Sequence, residues 1–461
     1  MSMPDADADD LIRPIRKPTR AYFLVAALAG IASVVFVAAY ILQLSQGMEV
    51  TGLSDWGSGG GSTWGLYIGT FIWWVGIAHG GIVISAAVRL LKLEKYEPVA
   101  RIAELLTIGA LSMAGLMIVV HLGRPDRVVW SVVQAYPTTV HTSPLAWDLT
   151  VITLYFVLTA TYLSLTLRSD VYRLRDKLPD ILDPLYSLLL FRYDTDEDPV
   201  VERMAWWLAL AIIVLAPLLL HGGVIPWLFQ LTPSMPGWYG GLTSPTFLSA
   251  ALSSAMGGVI VVCFVFRKVY TNWDKVIPDD VIWGLGWWMG IFALIFIWLQ
   301  LQRMITGLYA PPLDVETVMT ATAEFWLYWV AMLLMFLPLA YVAFQHFGIL
   351  KFSERGMLVA AIAVVLGILV EKTLFTVEGL LYPATQLYEN TPGNYFPTWI
   401  EMSSVLGTTG LIILFFLLVS KLIPIVELKS VEHGGHGEEE AVADGGVETE
   451  TCAEGAQEGG D

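Results

Sequence analysis

Ten long apolar stretches alternate with short polar ones along the chain, and each is about long enough to cross a ~30 Å hydrocarbon layer as a helix. They run over Ala21–Leu42, Trp64–Leu91, Ile102–Val120, Leu145–Leu167, Ala205–Leu231, Phe247–Phe266, Val281–Gln302, Phe325–Phe347, Met357–Thr376 and Ile400–Ile423. The pattern predicts an all-α, polytopic membrane protein with about ten transmembrane helices, because in lipid the backbone must satisfy its own hydrogen bonds. An even number of crossings brings both ends of the chain to one side.

The basic residues say which side. Arg13, Arg16, Lys17 and Arg20 precede the first span, Arg89, Lys92, Lys95 and Arg101 join the second to the third, and Arg168, Arg173, Arg175, Lys177, Arg192 and Arg203 join the fourth to the fifth. Arg267, Lys268, Lys275, Lys351, Arg355, Lys421 and Lys429 fall on that same side, whereas the opposite loops hold little beyond Arg124, Arg127 and Arg303. The positive-inside rule then predicts a multi-pass protein of the cell membrane with both termini cytoplasmic. Composition agrees with the class: 56% of the 461 residues are hydrophobic and 15% charged, and many of the 18 Trp flank the apolar runs as an interfacial belt does.

Residues 1–20 read as a cytoplasmic N-terminal tail with no cleavable signal, because the apolar run that follows is long and lacks a small-residue cleavage site. Residues 430–461 are rich in Gly, Glu and Asp with no Lys or Arg, which predicts a disordered acidic tail. A formal charge of −17 argues against a nucleic-acid partner and fits a high-salt cytoplasm. The two cysteines, Cys263 and Cys452, are too few for an iron–sulfur cluster held by this chain, and no Cys-x-x-Cys-His attaches a haem. Electrons, if they pass here, belong to a quinone or to another subunit.

The candidate chemistry lies at one boundary. His121-Leu-Gly-Arg124-Pro125 closes the third span and Ser143-Pro-Leu-Ala-Trp147-Asp148 opens the fourth, so a histidine, an arginine and an aspartate stand at the outward mouths of two apolar segments. A neutral imidazole and a carboxylate can accept the two protons that a hydroquinone loses on oxidation. Arg124 either holds Asp148 ionised, stitches the loop to the helices as its structural partner, or positions the loop against another subunit. His79 lies deep in the second span between Gly76 and Gly80, a small-residue face, and is either a proton relay or hydrogen-bonded to a neighbouring helix. Glu104, near the cytoplasmic end of the third span, is a paired interfacial carboxylate or part of a path from the cytoplasm toward His121. The fifth span, with Pro217, His221, Gly222, Gly223 and Pro226, is expected to break near its outer end, placing His221 on the substrate or on freed carbonyls. On the ninth span Glu371 and Lys372 read as an ion pair to another helix, with Glu378 on about the same face as Glu371. His346, His433 and His436 are interfacial or in the tail, and no metal site is expected.

The run Trp64-Gly-Leu-Tyr67-Ile-Gly through Gly76-Ile-Ala-His79-Gly80, then Ala103-Glu104, Ala114-Gly115-Leu116, His121-Leu-Gly-Arg124-Pro125 and Ser143-Pro-Leu-Ala-Trp147-Asp148, resembles the NrfD/polysulfide-reductase membrane-subunit family. The likeness is strongest to the quinol-binding membrane subunit of alternative complex III. It is specific over about residues 60–165 and weakens afterwards to the Pro236-Gly237-Trp238 loop and the Glu371-Lys372 pair. It implies a membrane domain over 21–423 with two four-helix bundles, 64–231 and 247–376, and two peripheral helices. It further implies menaquinol or menaquinone at the outer face. The partners implied are a ferredoxin-like iron–sulfur subunit and a molybdopterin-type subunit. His121 and Asp148 become the quinol ligands, Tyr67, Arg124, Trp147 and His221 the pocket, and His79, Glu104 and Glu371 a proton path. Two departures bear on that path: Ile225-Pro226-Trp227 stands where alternative complex III has an aspartate, and Gln300 and Gln302 stand where relatives carry a carboxylate. Two other classes stay open on the residues alone, a b-type cytochrome anchor using His79, His121 and His221 as axial ligands, and a secondary transporter built on the broken fifth helix.

Overall fold

The computed structural model describes residues 8–54, 61–140, 144–216, 225–309, 315–383 and 394–429. In order its helices are α1 (Ala8–Arg16), α2 (Arg20–Gln46), α3 (Leu66–Leu90), α4 (Glu97–His121), α5 (Tyr136–Thr139), α6 (Pro144–Leu174), α7 (Asp183–Leu189) and α8 (Asp198–Ala216). There follow α9 (Ile225–Gln230), α10 (Thr243–Val269), α11 (Trp273–Val276), α12 (Asp279–Tyr309), α13 (Val315–Glu324), α14 (Trp326–His346), α15 (Glu354–Leu381) and α16 (Trp399–Leu422). Nine helices among the described residues are long and apolar enough to span a membrane, and they coincide with nine of the ten expected segments. The fifth differs. Its helix α8 starts early and carries Asp198, Glu202 and Arg203, and its described part ends at Ala216. Residues 217–224, with the expected break around residues 217–223, lie outside the described residues, and α9 follows them.

Burial sorts the helices. α3 is covered on nearly every side, packing along α4, α8, α10 and α15, while α6 closes on α4 and α8. α10 packs on α12 and α15, and α14 on α12 and α15. α2 buries one stripe, Ala29, Ser33, Phe36, Ala39 and Gln43, at helical spacing against α16, and turns Phe23, Leu24, Leu28 and Ile31 outward as a lipid-facing helix does. Gly80 sits at the crossing of α3 and α10. A Cβ there would stand 2.5 Å from the Ala251 carbonyl oxygen, so Gly80 joins α3 closely to α10, while the adjacent Gly81 meets Ala103 and Thr107 of α4.

Part of the expected N-terminal tail is a packed helix. α1 buries Leu11, Ile12 and Ile15, and Arg16 donates to the Lys177 carbonyl at 3.0 and 2.7 Å while Arg13 donates to that of Thr271 at 2.9 Å. Lys421 of α16 donates to the Pro14 carbonyl, so both described ends of the chain lie at one face. A nine-residue amphipathic segment is too short to stand out against the basic run around it. The acidic tail, 430–461, falls outside the described residues.

Candidate functional site

At the face opposite the chain ends, α4 stops at His121 because Gly123, in the left-handed region at φ 65°, turns the chain. The His121 ring meets the ring of Tyr67 on α3 edge to face, with centroids 6.5 Å apart. Tyr67 is buried, and its hydroxyl donates to Gln43 Oε1 at 2.5 Å. The Gln43 amide nitrogen in turn donates to the Val120 carbonyl at 2.9 Å, next to His121. Asp148 is buried one turn into α6. His121 Nδ1 and Asp148 Oδ1 are both buried and meet no hydrogen-bond partner among the described residues. Two orphaned polar atoms at one end of two packed helices are costly, and a ligand with its own hydroxyls or carbonyls satisfies them.

From Asp148 a polar row runs down the inner face of α6. Tyr155, Thr159 and Tyr162 follow at seven, eleven and fourteen residues, within about 40° of one face, and all are buried. The ring of His79 lies 5.7 Å from that of Tyr155. Near the face of the chain ends, Ser85 donates to Glu104 Oε1 at 2.6 Å, and Arg89 donates to the Tyr162 hydroxyl at 2.6 Å. Arg101 is fully buried and pairs with Asp170 at 2.7 Å.

Several expected partners are different. Arg124 does not reach Asp148: it is exposed and clamps Asp126 two residues on, Nε to Oδ1 at 2.9 Å and Nη2 to Oδ2 at 2.8 Å. The tight 3-10 turn over Pro125–Arg127 brings that neighbour round first. Those hydrogen bonds hold the Asp126 carboxyl below its usual range and raise Arg124 above its own. Trp147 is 46% exposed on the outside of α6, away from the inner row. Lys372 finds no carboxylate on another helix among the described residues. Its ion pair is with adjacent Glu371 at 3.0 Å, and its ammonium sits 3.6 Å from the Phe247 ring centroid, while Gln300 of α12 donates to Glu371 Oε1 at 2.5 Å. Glu371 is thus engaged with α12, apart from the row on α6. His221 lies outside the described residues.

Other groups at the site were not singled out in the sequence. Gln43 stands one residue beyond the expected first span, where a polar residue reads as the span's end. Tyr395 and Glu401 are far away in sequence, yet Leu66 N donates to the Tyr395 hydroxyl at 2.6 Å and that hydroxyl to Glu401 Oε1 at 2.7 Å. Burial, then the Glu401 charge, pushes the Tyr395 hydroxyl far above its usual range. Tyr155 was recoverable from its spacing to Asp148. The Pro236-Gly237-Trp238 loop, part of the resemblance, seals the seam between α3 and α15: Trp238 stacks on Trp64 at 5.7 Å and donates to the Phe375 carbonyl at 2.8 Å.

Residues 57–384 match the family model described as polysulphide reductase, NrfD. Along 90% of this chain and 96% of its own length, a selenate reductase subunit of Mesobacillus selenatarsenatis is 25% identical. A Halobacterium salinarum protein described as a putative membrane subunit of dimethyl sulfoxide reductase is 30% identical over 56% of this chain and 54% of its own. An Archaeoglobus fulgidus protein described as the integral membrane subunit of an Hdr-like menaquinol oxidoreductase is 22% identical over 89% of this chain and 95% of its own.

Proposed function

The chain belongs to the polysulphide reductase NrfD family, and from that premise we propose that it is the quinol-reactive membrane subunit of a respiratory oxidoreductase complex. Menaquinol binds at the end of the α3, α4, α6 and α8 group that carries His121 and Asp148. The observation that carries this reading is the pair of buried, orphaned atoms, His121 Nδ1 beside the Tyr67 ring and Asp148 Oδ1 one turn into α6.

Oxidation of the quinol to the quinone releases two electrons and two protons. Neutral His121 takes one proton at Nδ1 and the Asp148 carboxylate the other, while the electrons leave to an iron–sulfur partner subunit on the outer face that serves a separate reductase subunit. Tyr67, held by Gln43, packs the imidazole in place. Protons exchange with the cytoplasm along the same group of helices, through the α6 row, His79 and Glu104. Names of relatives that belong to selenate, dimethyl sulfoxide and menaquinol oxidoreductases support the anchor role. A b-type haem held by His79 and His121 is disfavoured by geometry. Tyr67, twelve residues before His79 on α3, is at the level of His121, so the two histidines stand about 18 Å apart along the helix axis and do not share one iron.

The test is quinol turnover in the assembled complex. His121→Leu and Asp148→Asn are each expected to lower it by about 10²-fold or more, the scale of lost acid–base catalysis. Native turnover in both variants places the quinol elsewhere.

A further inference from the structure

Beyond α16 the chain stays on the protein. Ile425, Val426 and Leu428 are buried, and Arg101 Nη1 donates to the carbonyls of Pro424 at 3.3 Å and Val426 at 3.2 Å. Asp170 Oδ2 accepts from Leu428 N at 3.2 Å, and Lys429 pairs with Glu202. This pinning fixes Glu427 between them, 3.4 Å from Arg89, on the wall of a cleft of about 610 Å³. Ser85, Arg89, Tyr162 and Glu202 line the same cleft.

One hydroxyl separates that cleft from a buried carboxyl. Ser85, on the wall, donates to Glu104 Oε1, whereas Glu104 is fully buried and its Oε2 meets no hydrogen-bond partner among the described residues. The charged groups around Glu427 and its cleft come from every element there: Arg89 from α3, Lys92 and Glu94 from the turn after it, Glu97, Arg101 and Glu104 from α4, Asp170 from α6, Glu202 and Arg203 from α8, and Lys429 beside it. In the inner set, Arg89 and Arg101 face Asp170, Glu104 and Glu427, two cations against three carboxyls. Of Asp170, Glu104 and Glu427, Glu427 is the one on the cleft wall, in reach of water.

We infer that Glu427 is the proton-exchanging carboxylate of this cleft, passing protons between Glu104 and bulk water by way of the Ser85 hydroxyl and cleft water. The inference rests on the proton route proposed above and names its cytoplasmic end. A proton from quinol oxidation that reaches Glu104 passes to the Glu427 carboxylate, and its release to cleft water as hydronium returns Glu427 to the anion, so no other reactant is consumed.

The complete complex in proteoliposomes, driven by quinol, tests it by the charge displaced per electron. Glu427→Gln is expected to lower that ratio at least twofold at pH 8, Glu427→Asp to keep most of it, and millimolar acetate to restore Glu427→Ala to more than half. A fixed structural role for Glu427 is not rescued by acetate. Native charge displacement in Glu427→Gln, with a loss in Glu104→Gln, overturns the assignment of Glu427 alone. Native displacement in both variants overturns the route and this inference together, and quinol turnover with uncoupler in the same vesicles reads the His121 and Asp148 site separately.

Discussion

The ring of His79 on α3 lies 5.7 Å from the ring of Tyr155 on α6, at 41°, and Tyr155 stands seven residues from both Asp148 and Tyr162. Asp148 and Tyr162 are therefore about 21 Å apart along the helix, with the deep histidine facing the midpoint between them. A row with this reach joins the two ends of the first helix group.

The Tyr155 hydroxyl is buried and meets no hydrogen-bond partner among the described residues. Tyr155→Phe keeps the ring and removes the hydroxyl, so thermal stability is expected to change little while charge displaced per electron falls at least twofold. An unchanged ratio in proteoliposomes removes Tyr155 from the route.

Gln43 serves the Tyr67 hydroxyl and the Val120 carbonyl at once. Gln43→Leu orphans both, at about 1–3 kcal/mol for each buried group. Part of that loss is expected in quinol affinity, as a rise in KM of about tenfold, which is ~1.4 kcal/mol. Steady-state kinetics with a quinol analogue check it, and an unchanged KM separates Tyr67 from the pocket.

Arg101 and Asp170 form a buried ion pair. Arg101→Leu alone leaves an uncompensated carboxylate and is expected to destabilise the protein by about 3–5 kcal/mol. Arg101→Leu with Asp170→Leu is expected to recover only part, since the pair also holds the Pro424 and Val426 carbonyls and the Leu428 amide. Thermal midpoints of the two variants decide this, and equal midpoints would mean that the charges contribute little.

Arg124 and Asp126 lie outside the spans, and the Arg124 hydrogen bonds lower the Asp126 carboxyl. The sign follows: the pair is intact above the ordinary carboxylate range and is lost as pH falls through the lowered Asp126 value. Exposed pairs contribute little, so Arg124→Gln should leave the melting curve unchanged from pH 5 to 8. We propose that the exposed Arg124–Asp126 pair instead faces a partner subunit, so the variant should retain less of its partners on purification. A lower melting temperature with full retention reverses this assignment.

A reporter fused after Lys429 should be cytoplasmic, and a tag inserted after Thr138 should be reachable from outside intact cells. Both on one side would contradict the orientation read from the basic residues.

The spans were legible because lipid selects for apolar runs residue by residue, and hydropathy reads that preference without knowing any neighbour. Even so, α8, which opens the fifth expected span, begins at Asp198 and carries Glu202 and Arg203 before the apolar window at Ala205. His121, Asp148 and His79 were legible as polar residues in apolar surroundings. Their contacts were not: Arg124 turned to the nearer Asp126, and Lys372 to Glu371 and the Phe247 ring, because a charge takes the partner that geometry brings first.

The order of helices and the rarity of charge within them follow from the sequence alone, since each helix satisfies its own backbone and its own lipid contact. Which polar groups meet was decided by packing. Leu66 reaches Tyr395, Arg101 reaches Asp170 and the carbonyls after α16, and Gln43 of an outer helix closes on Tyr67, across separations in which no local preference acts. Such pairs exist because burying one polar group obliges the fold to supply another within about 3 Å, and only the folded arrangement of helices determines which residue that is.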